Sequence, residues 1–101
     1  MITKIEEFDD KWLATLEGEM DTPAAVEANK ILQPLYNGGG KDVVIECGKL
    51  EYIASSGLRI FLGILKGALA SGSSVTLRNM NEDVKNVFAL TGFNTIFKFE
   101  P

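Results

Sequence analysis

Two adjacent serines followed by a glycine, Ser55-Ser56-Gly57, have the clearest potential for chemistry in this chain. They lie between a β-branched run at 42–47 (DVVIEC) and a strongly apolar run with helical spacing. Serine is a favoured helix N-cap, because its hydroxyl accepts a hydrogen bond from a free backbone N–H and contributes about 1 kcal/mol. A hydroxyl at a helix start is also a position that tolerates phosphate, since free N–H groups and the helix dipole favour an anion there. The residue types leave both interpretations of Ser55 open.

Phosphorylation at this position would change the local charge while leaving the fold intact. A phosphoserine adds about −1.5 to −2 charges and three strong acceptor oxygens. Two acidic residues, Glu19 and Asp21, are predicted at a neighbouring strand end, where they would enlarge the negative field. A partner packed on this corner through carboxylates would then be repelled. Arg59, beside the serines, either pairs with an acid of that partner or is solvated.

The composition argues against several classes of function. The chain has no histidine, which removes the usual general base for a serine nucleophile and the commonest metal ligand. A hydrolase built on Ser55 would need a lysine or carboxylate base, so we expect no enzyme, no metal and no cofactor. The triple glycine at 38–40 lacks the Lys-Ser/Thr of a nucleotide-binding loop. A formal net charge of −4 weighs against nucleic acid or an anionic membrane as the main partner.

Length and cysteine content predict one cytoplasmic domain covering residues 1–101. A chain of 101 residues buries a core without metal or disulfide support. The single cysteine, Cys47, ends an apolar strand and is interpreted as a reduced core residue. The first ten residues do not have the pattern of a signal peptide, and no apolar run approaches the roughly 20 residues that a membrane helix needs.

Hydrophobic periodicity and turn residues predict the element order β-β-α-β-α-β-α-β. Thr22 followed by Pro23 is typical of an N-cap with proline in the first helical position, and Asn81 is the predicted cap of the third helix. The residues at 48–54 are interpreted as the connection into the second helix. Strands are predicted at 2–8, 11–17, 42–47, 73–79 and 95–99, with helices starting after Thr22, near Ser56 and after Asn81.

This order predicts an α/β fold with a mixed, mostly parallel sheet of about five strands, packed with helices. Strands joined through single helices run parallel with right-handed crossovers. The carboxyl ends of three strands, at 18–21, 48–55 and 79–83, then fall on one rim of the sheet. In open α/β sheets that rim is where ligands bind, so the serines are predicted at the functional edge.

The second helix has an apolar stripe and an unexpectedly apolar opposite side. Ile60 and Ile64, with Gly63 and Gly67, lie where a solvated helix is normally polar. Either a neighbouring helix covers this side and the glycines allow close approach, or the two isoleucines form an exposed patch for a partner. The predicted core stripe is Leu58, Phe61, Leu62, Leu65 and Leu69.

Three motifs in order resemble the STAS domain, and within it the bacterial anti-sigma factor antagonists. GEMD at 18–21 is similar to the G-E-L-D of that family, and ASSGLR at 54–59 to its D-S-[ST]-G-L. TGFNTIFKF at 91–99 resembles the closing [ST]-G-[LF] and edge strand. The resemblance covers nearly the whole chain and implies the STAS fold.

The resemblance implies a partner switch. The unphosphorylated antagonist binds an anti-sigma factor that is also a serine kinase and so releases the sigma factor; phosphorylation abolishes binding, and a serine/threonine phosphatase reverses it. Carried onto this chain, the phosphoacceptor is Ser55, with Ser56 as second choice. The predicted partner-binding residues are Glu19, Asp21, Ala54, Ser55, Ser56, Gly57, Leu58, Arg59, Ile60 and Ile64.

Ala54 departs from the family pattern, because the family usually has an aspartate immediately before the acceptor serine. That carboxylate orients the hydroxyl or is read by the kinase or phosphatase, so its loss bears on the rate of phosphorylation. The rival hypothesis is a non-phosphorylated STAS subunit that serves for docking in a lipid-transport or stressosome-like assembly.

Overall fold

The structure, a computed structural model, describes residues 1–101 and contains five strands and three α-helices. Short 3₁₀ turns follow the first and third helices, at Gln33–Asn37 and Phe93–Thr95. The strands are β1 (Ile2–Glu7), β2 (Lys11–Met20), β3 (Asp42–Ile53), β4 (Val75–Arg78) and β5 (Lys98–Glu100). The helices are α1 (Thr22–Leu32), α2 (Ser55–Ala70) and α3 (Glu82–Leu90).

The strands form one sheet in the spatial order β1-β2-β3-β4-β5. β1 pairs antiparallel with β2, and every other neighbouring pair is parallel. The α/β class, the element order and the mixed, mostly parallel sheet predicted from the sequence are confirmed. Because β2, β3, β4 and β5 run in one direction, their carboxyl ends lie on one rim.

The helices cover one face of the sheet. α1 contacts β1, β2 and α2, and α2 contacts β3 and β4. Phe61 of α2 lies 5.6 Å from Phe88 of α3, measured between ring centroids, which places α3 on the same side. Side chains of β2 that point to this side, such as Ala14 and Leu16, are fully buried in the core. Val44, which points the other way, is 9% exposed and lies outside the core cluster.

β3 is longer than predicted, since the segment at 48–53 is strand and not a connection. It pairs with the end of β2: Lys49 lies opposite Glu17, and Ile53 opposite Met20. Register shifts within this ladder break the simple alternation of polar and apolar residues, which explains why the sequence pattern missed it. The last two strands are shorter than predicted, and the residues at 95–97 are not strand.

Side-chain caps start two of the helices, one of them at an unexpected residue. Asp21, not Thr22, is the N-cap of α1, and its Oδ1 accepts a hydrogen bond from the Ala24 N–H at 2.9 Å. The prediction for Asn81 is confirmed, because its Oδ1 accepts from the Val84 N–H at 2.8 Å. Both caps satisfy N–H groups that lack an intrahelical partner.

The apolar second side of α2 is covered by the chain itself. Ile64 is fully buried and Ile60 nearly so, which confirms the packing alternative and excludes an exposed isoleucine patch. The 3₁₀ turn at Gln33–Asn37 lies against α2, where Tyr36 contacts the backbone at Gly63 and Gly67. The assignment of Leu69 to the core was wrong, since that side chain is 62% exposed.

Cys47 is a buried free thiol, as predicted. Burial, and to a smaller extent the neighbouring Glu46 carboxylate, raise the pKa of the Cys47 thiol to about 12. A thiol with such a pKa is neutral and unreactive at neutral pH, because the thiolate is the nucleophile. None of the helices has both the length and the apolar character required to cross a bilayer.

Candidate functional site

The candidate site lies at the rim where β2 and β3 end side by side. Met20 and Ile53 are opposite each other in the last register of the two strands. The Ala54 N–H donates to the Met20 carbonyl at 2.8 Å, so the chain turns from β3 into α2 directly beside the end of β2. This turn brings Ser55 to the same corner as Asp21, which begins α1.

Ser55 is not the N-cap of α2. Ala54 occupies that position, with no side chain able to cap, and its carbonyl accepts from the N–H groups of Gly57 and Leu58 at 2.9 and 3.1 Å. Ser55 is the first helical residue and its side chain is exposed. The capping interpretation is therefore wrong. The N–H groups of Ser55 and Ser56, which precede those bonded to Ala54, lack a side-chain cap, and the first turn of α2 has no acidic residue.

The hydroxyl of Ser56 has different surroundings. Its Oγ is buried and has no hydrogen-bond partner. Ser56 borders a shallow groove of about 160 Å³ between α1 and α2. The other residues that line this groove are Ala25, Val26, Asn29 and Ile60. A phosphate could not be added at Ser56 without moving neighbouring side chains, because the oxygen has no access to solvent.

Gly57 permits the close packing of this turn. A methyl group at position 57 would lie 2.7 Å from Met20 Sδ and 2.8 Å from Ile53 Cγ1. Leu58, the next residue, is buried in the core. These residues fix the position of Ser55 from inside the molecule.

The predicted partner-binding set is thus divided by burial. Exposed residues of the set are Glu19, Asp21, Ser55 and Arg59, and Ala54 and Ser56 are half-buried. The remaining members were wrongly assigned to the contact surface, because they are buried in the core. They are Gly57, Leu58, Ile60 and Ile64.

Sequence reasoning missed two apolar residues beside this corner. Tyr52 lies opposite Glu19 in the β2–β3 ladder and is 50% exposed. Val26 on α1 borders the groove next to Ser56 and is also exposed. Tyr52 would have been found if the polar stretch at 48–53 had been recognised as strand. We name Glu19, Tyr52, Asp21, Ser55 and Arg59 the serine corner.

The chemistry available at the serine corner is that of a nucleophile accepting a group from a partner. No group of three or more cysteine, aspartate or glutamate side chains in residues 1–101 is arranged to hold a metal ion. The corner presents a hydroxyl, two carboxylates and one guanidinium on exposed residues. Such an arrangement fits recognition by another macromolecule.

Comparison with known proteins identifies the family. The sequence pattern of the MlaB STAS domain matches residues 7–98. The chain belongs to the STAS domain family. It is 29% identical over 93 residues to BtrV of Bordetella bronchiseptica, named as an anti-sigma factor antagonist, covering 92% of this chain and 80% of that protein.

Two further similarities agree with this result. The anti-sigma-B factor antagonist of Staphylococcus epidermidis is 26% identical over 88 residues, covering 87% of this STAS domain and 82% of the relative. A crystal structure from Thermotoga maritima, described as an anti-sigma factor antagonist, superposes with a TM-score of 0.84 at 26% identity, covering 98% of this chain and 86% of that one. The predicted resemblance to anti-sigma factor antagonists is confirmed.

Proposed function

We propose that this STAS domain acts as an anti-sigma factor antagonist that is switched at Ser55. In the unphosphorylated form the serine corner binds an anti-sigma factor with serine kinase activity, and the sigma factor is released. The observation that carries the proposal is the exposed Ser55 hydroxyl on the first, uncapped turn of α2. The relatives with the name of anti-sigma factor antagonist support the choice of partner.

The switch is a phosphoryl transfer from ATP. The Ser55 oxygen forms a bond to the γ-phosphorus, the bond to the β–γ bridging oxygen breaks, ADP leaves, and a base of the kinase takes the hydroxyl proton. A serine/threonine phosphatase hydrolyses the phosphoserine and restores the hydroxyl. The chain supplies the acceptor and performs no catalysis itself.

The fold tolerates the phosphate because of its position on α2. The free N–H groups of the first turn and the positive end of the helix dipole favour an anion at Ser55. Binding does not tolerate it, because the new charge lies on the contact surface, at the same rim of the sheet as the carboxylates of Asp21 and Glu19. Modification therefore changes affinity and leaves folding stability nearly constant.

Ser55 is a better acceptor than Ser56, whose oxygen is buried. Ala54 offers no carboxylate to orient the Ser55 hydroxyl, so the kinase must supply the base and the orientation. We propose that phosphorylation is consequently slow, and that the unphosphorylated, binding state is long-lived.

The proposed setting is a single-domain cytoplasmic regulator. Residues 1–101 pack around one hydrophobic core cluster, which supports one domain. The proposed partner, an anti-sigma factor with kinase activity, controls a sigma factor and therefore acts where transcription occurs.

The proposal predicts that Ser55→Asp weakens binding to the kinase by more than about tenfold, equal to roughly 1.4 kcal/mol. The aspartate places a negative charge where the phosphate would lie. Isothermal titration with the purified kinase measures the affinity. Asn37→Asp is the matched control, since it adds the same charge at an exposed position remote from the serine corner.

Mass spectrometry after incubation with the kinase and ATP tests the acceptor. The wild type and Ser56→Ala should gain one phosphate, and Ser55→Ala should gain none. Unchanged affinity of Ser55→Asp, or phosphate on Ser55→Ala, would count against the switch.

A second candidate function is a non-phosphorylated docking subunit. The matching sequence pattern is that of MlaB, and Ala54 replaces the usual acid before the acceptor serine. In this case the chain would form a stable complex with its partner, remain unmodified in the presence of ATP, and bind equally well as Ser55→Ala. The same mass spectrometry and titration experiments separate the two candidates.

A further inference from the structure

β1 is a free edge strand of the sheet. It pairs on one side with β2 and has no neighbour on the other. The opposite edge, β5, has only three residues, while β1 has six. A free edge presents unpaired backbone groups that another strand can bind, so the side chains of β1 decide which strand fits.

The hairpin register fixes which backbone groups of β1 point outward. The Phe8 N–H donates to the Lys11 carbonyl at 2.8 Å, so Phe8 and Lys11 form a hydrogen-bonded pair. Pairing continues without a register shift to Ile2 opposite Glu17. Because hydrogen-bonded and non-hydrogen-bonded pairs alternate in an antiparallel ladder, residues 2, 4, 6 and 8 bond to β2. Residues 3, 5 and 7 present their N–H and C=O groups outward.

The side chains of β1 point alternately to the two faces of the sheet. Thr3 and Ile5 lie opposite Leu16 and Ala14, which are buried under the helices. Residues 2, 4, 6 and 8 therefore point to the open face of the sheet. Ile2 and Phe8 are 49% and 43% exposed there. Lys4 and Glu6 lie between them, and neither makes an ion pair within residues 1–101.

We propose that β1 is the interface of a symmetric homodimer in which two copies pair antiparallel about Ile5. Ile5 then lies opposite the partner's Ile5, and Thr3 opposite the partner's Glu7, with outward backbone groups meeting outward backbone groups. On the open face, Lys4 lies opposite the partner's Glu6, and Ile2 opposite the partner's Phe8. The two-fold axis repeats each of these contacts. Lys4 and Glu6 of each copy thus face an opposite charge, and Ile2 and Phe8 of each copy face an apolar side chain.

Charge selects this register from its neighbours. Backbone complementarity also allows a two-fold axis at Lys4 or at Glu6. The first places Lys4 opposite the partner's Lys4, and the second places Glu6 opposite the partner's Glu6. Like charges directly opposite each other destabilise a strand pair, and opposite charges stabilise it. Of these three registers, only pairing about Ile5 has neither repulsion.

The helix layer adds apolar surface beside the same edge. A groove of about 310 Å³ runs between β1 and α1, with Thr3, Glu27 and Ile31 among its lining residues. Ile31 is exposed. A strand pair alone is smaller than the roughly 800 Å² per partner that stable interfaces bury. Pairing at β1 brings the two α1 helices together beneath the sheet, and their contact supplies additional area.

The dimer has a continuous sheet of ten strands and leaves the switch accessible. The axis reverses strand direction between copies, so the two serine corners lie at opposite ends of the sheet. Neither corner is covered, because Ser55 lies at the end of β3 and not at the β1 edge. The inference does not depend on the proposed switch.

Charge reversal tests the register. Lys4→Glu places two acids opposite each other twice in the dimer, and Glu6→Lys places two bases opposite each other twice. Each single reversal should weaken dimerisation by about tenfold or more, since both symmetry-related pairs change from attraction to repulsion. The double variant Lys4→Glu with Glu6→Lys should restore the wild-type dimer. An equimolar mixture of the two single variants should form a heterodimer.

Sedimentation equilibrium from micromolar to millimolar protein measures the association. Lys66→Glu, on the exposed side of α2, is the control matched to Lys4→Glu, because it makes the same change in net charge, and it should dimerise like the wild type. Circular dichroism checks that each variant is folded. A wild type that stays monomeric over this range overturns the proposal, as does a double variant that fails to regain the dimer.

Discussion

At the scale of single residues, Ser55 and Ser56 have the same hydroxyl and opposite surroundings. The Ser55 side chain is exposed, while the Ser56 oxygen is buried without a hydrogen-bond partner. Burying an unsatisfied hydroxyl costs about 1–3 kcal/mol. Two neighbouring residues of one type therefore have different effects: one is available to a partner, and the other lowers the stability of the helix start.

This difference predicts that Ser56→Ala raises the free energy of unfolding by about 1 kcal/mol, because it removes a polar atom that has lost water and gained no partner. Ser55→Ala is the matched control, since it makes the same chemical change on the adjacent exposed residue and should alter stability by less than about 0.5 kcal/mol. Urea unfolding followed by circular dichroism measures both. Equal effects of the two substitutions would show that the buried hydroxyl is satisfied in solution.

At the scale of elements, the packing of α2 against the 3₁₀ turn depends on glycine. A methyl group at position 67 would collide with the Tyr36 carbonyl oxygen, which is backbone and cannot rotate away. Tyr36 is held in place on its other side, because its hydroxyl donates to Asn29 Oδ1 at 2.6 Å. Gly63 and Gly67 thus allow the turn to lie on the helix and bury Ile60 and Ile64.

Gly67→Ala therefore destabilises the fold, although alanine is the better helix former. The gain in helix propensity is about 1 kcal/mol. The overlap with Tyr36 costs more, since strain from overpacking costs about 1–3 kcal/mol and here meets rigid backbone. We expect a net loss of at least about 1 kcal/mol in unfolding free energy.

Leu69→Ala, on the same helix, is the comparison for Gly67→Ala. Its side chain is largely exposed, so thermal or urea unfolding should show a change within about 0.5 kcal/mol. A Gly67→Ala protein as stable as the wild type would mean that the turn lies further from α2 than the structure has it.

The elements also show how far sequence reasoning reaches. Element order, sheet type and the Asn81 cap follow from local patterns, such as the β-branched run at 42–47 and the Asn-Glu-Asp start at 81–83. The extension of β3 to Ile53 could not be predicted, because register shifts between β2 and β3 interrupt the regular alternation of buried and exposed residues there. Burial at the serine corner was equally hidden, since Ser55 and Ser56 differ only in the tertiary contacts around them.

At the scale of the whole molecule, the packing of helices on one face of the sheet explains where the two proposed binding surfaces lie. The face under the helices holds the core, which includes Cys47 and the ring cluster of Phe61, Phe88 and Phe97. The rim and the β1 edge lie at the margins of this core. A charge added at either place meets solvent, so binding can change while the core is undisturbed.

The buried Cys47 thiol makes the folding stability depend on pH. The folded-state pKa of Cys47 is raised to about 12 from an unfolded value of 9.0, mainly by burial. Below the unfolded pKa both states are protonated and the thiol's contribution is fully present. As pH rises from the unfolded towards the folded pKa, only the unfolded state loses its proton, so stability falls by up to about 1.4 kcal/mol per pH unit.

Cys47→Ala isolates this contribution from those of the lysines and tyrosines. The variant leaves a small cavity and is less stable at about pH 8, but its stability should fall less steeply between about pH 9 and about pH 11 than that of the wild type. Urea unfolding at several pH values gives both curves. If the two curves stay parallel, the Cys47 thiol titrates alike in the folded and unfolded states, and it must then be solvated in the native protein.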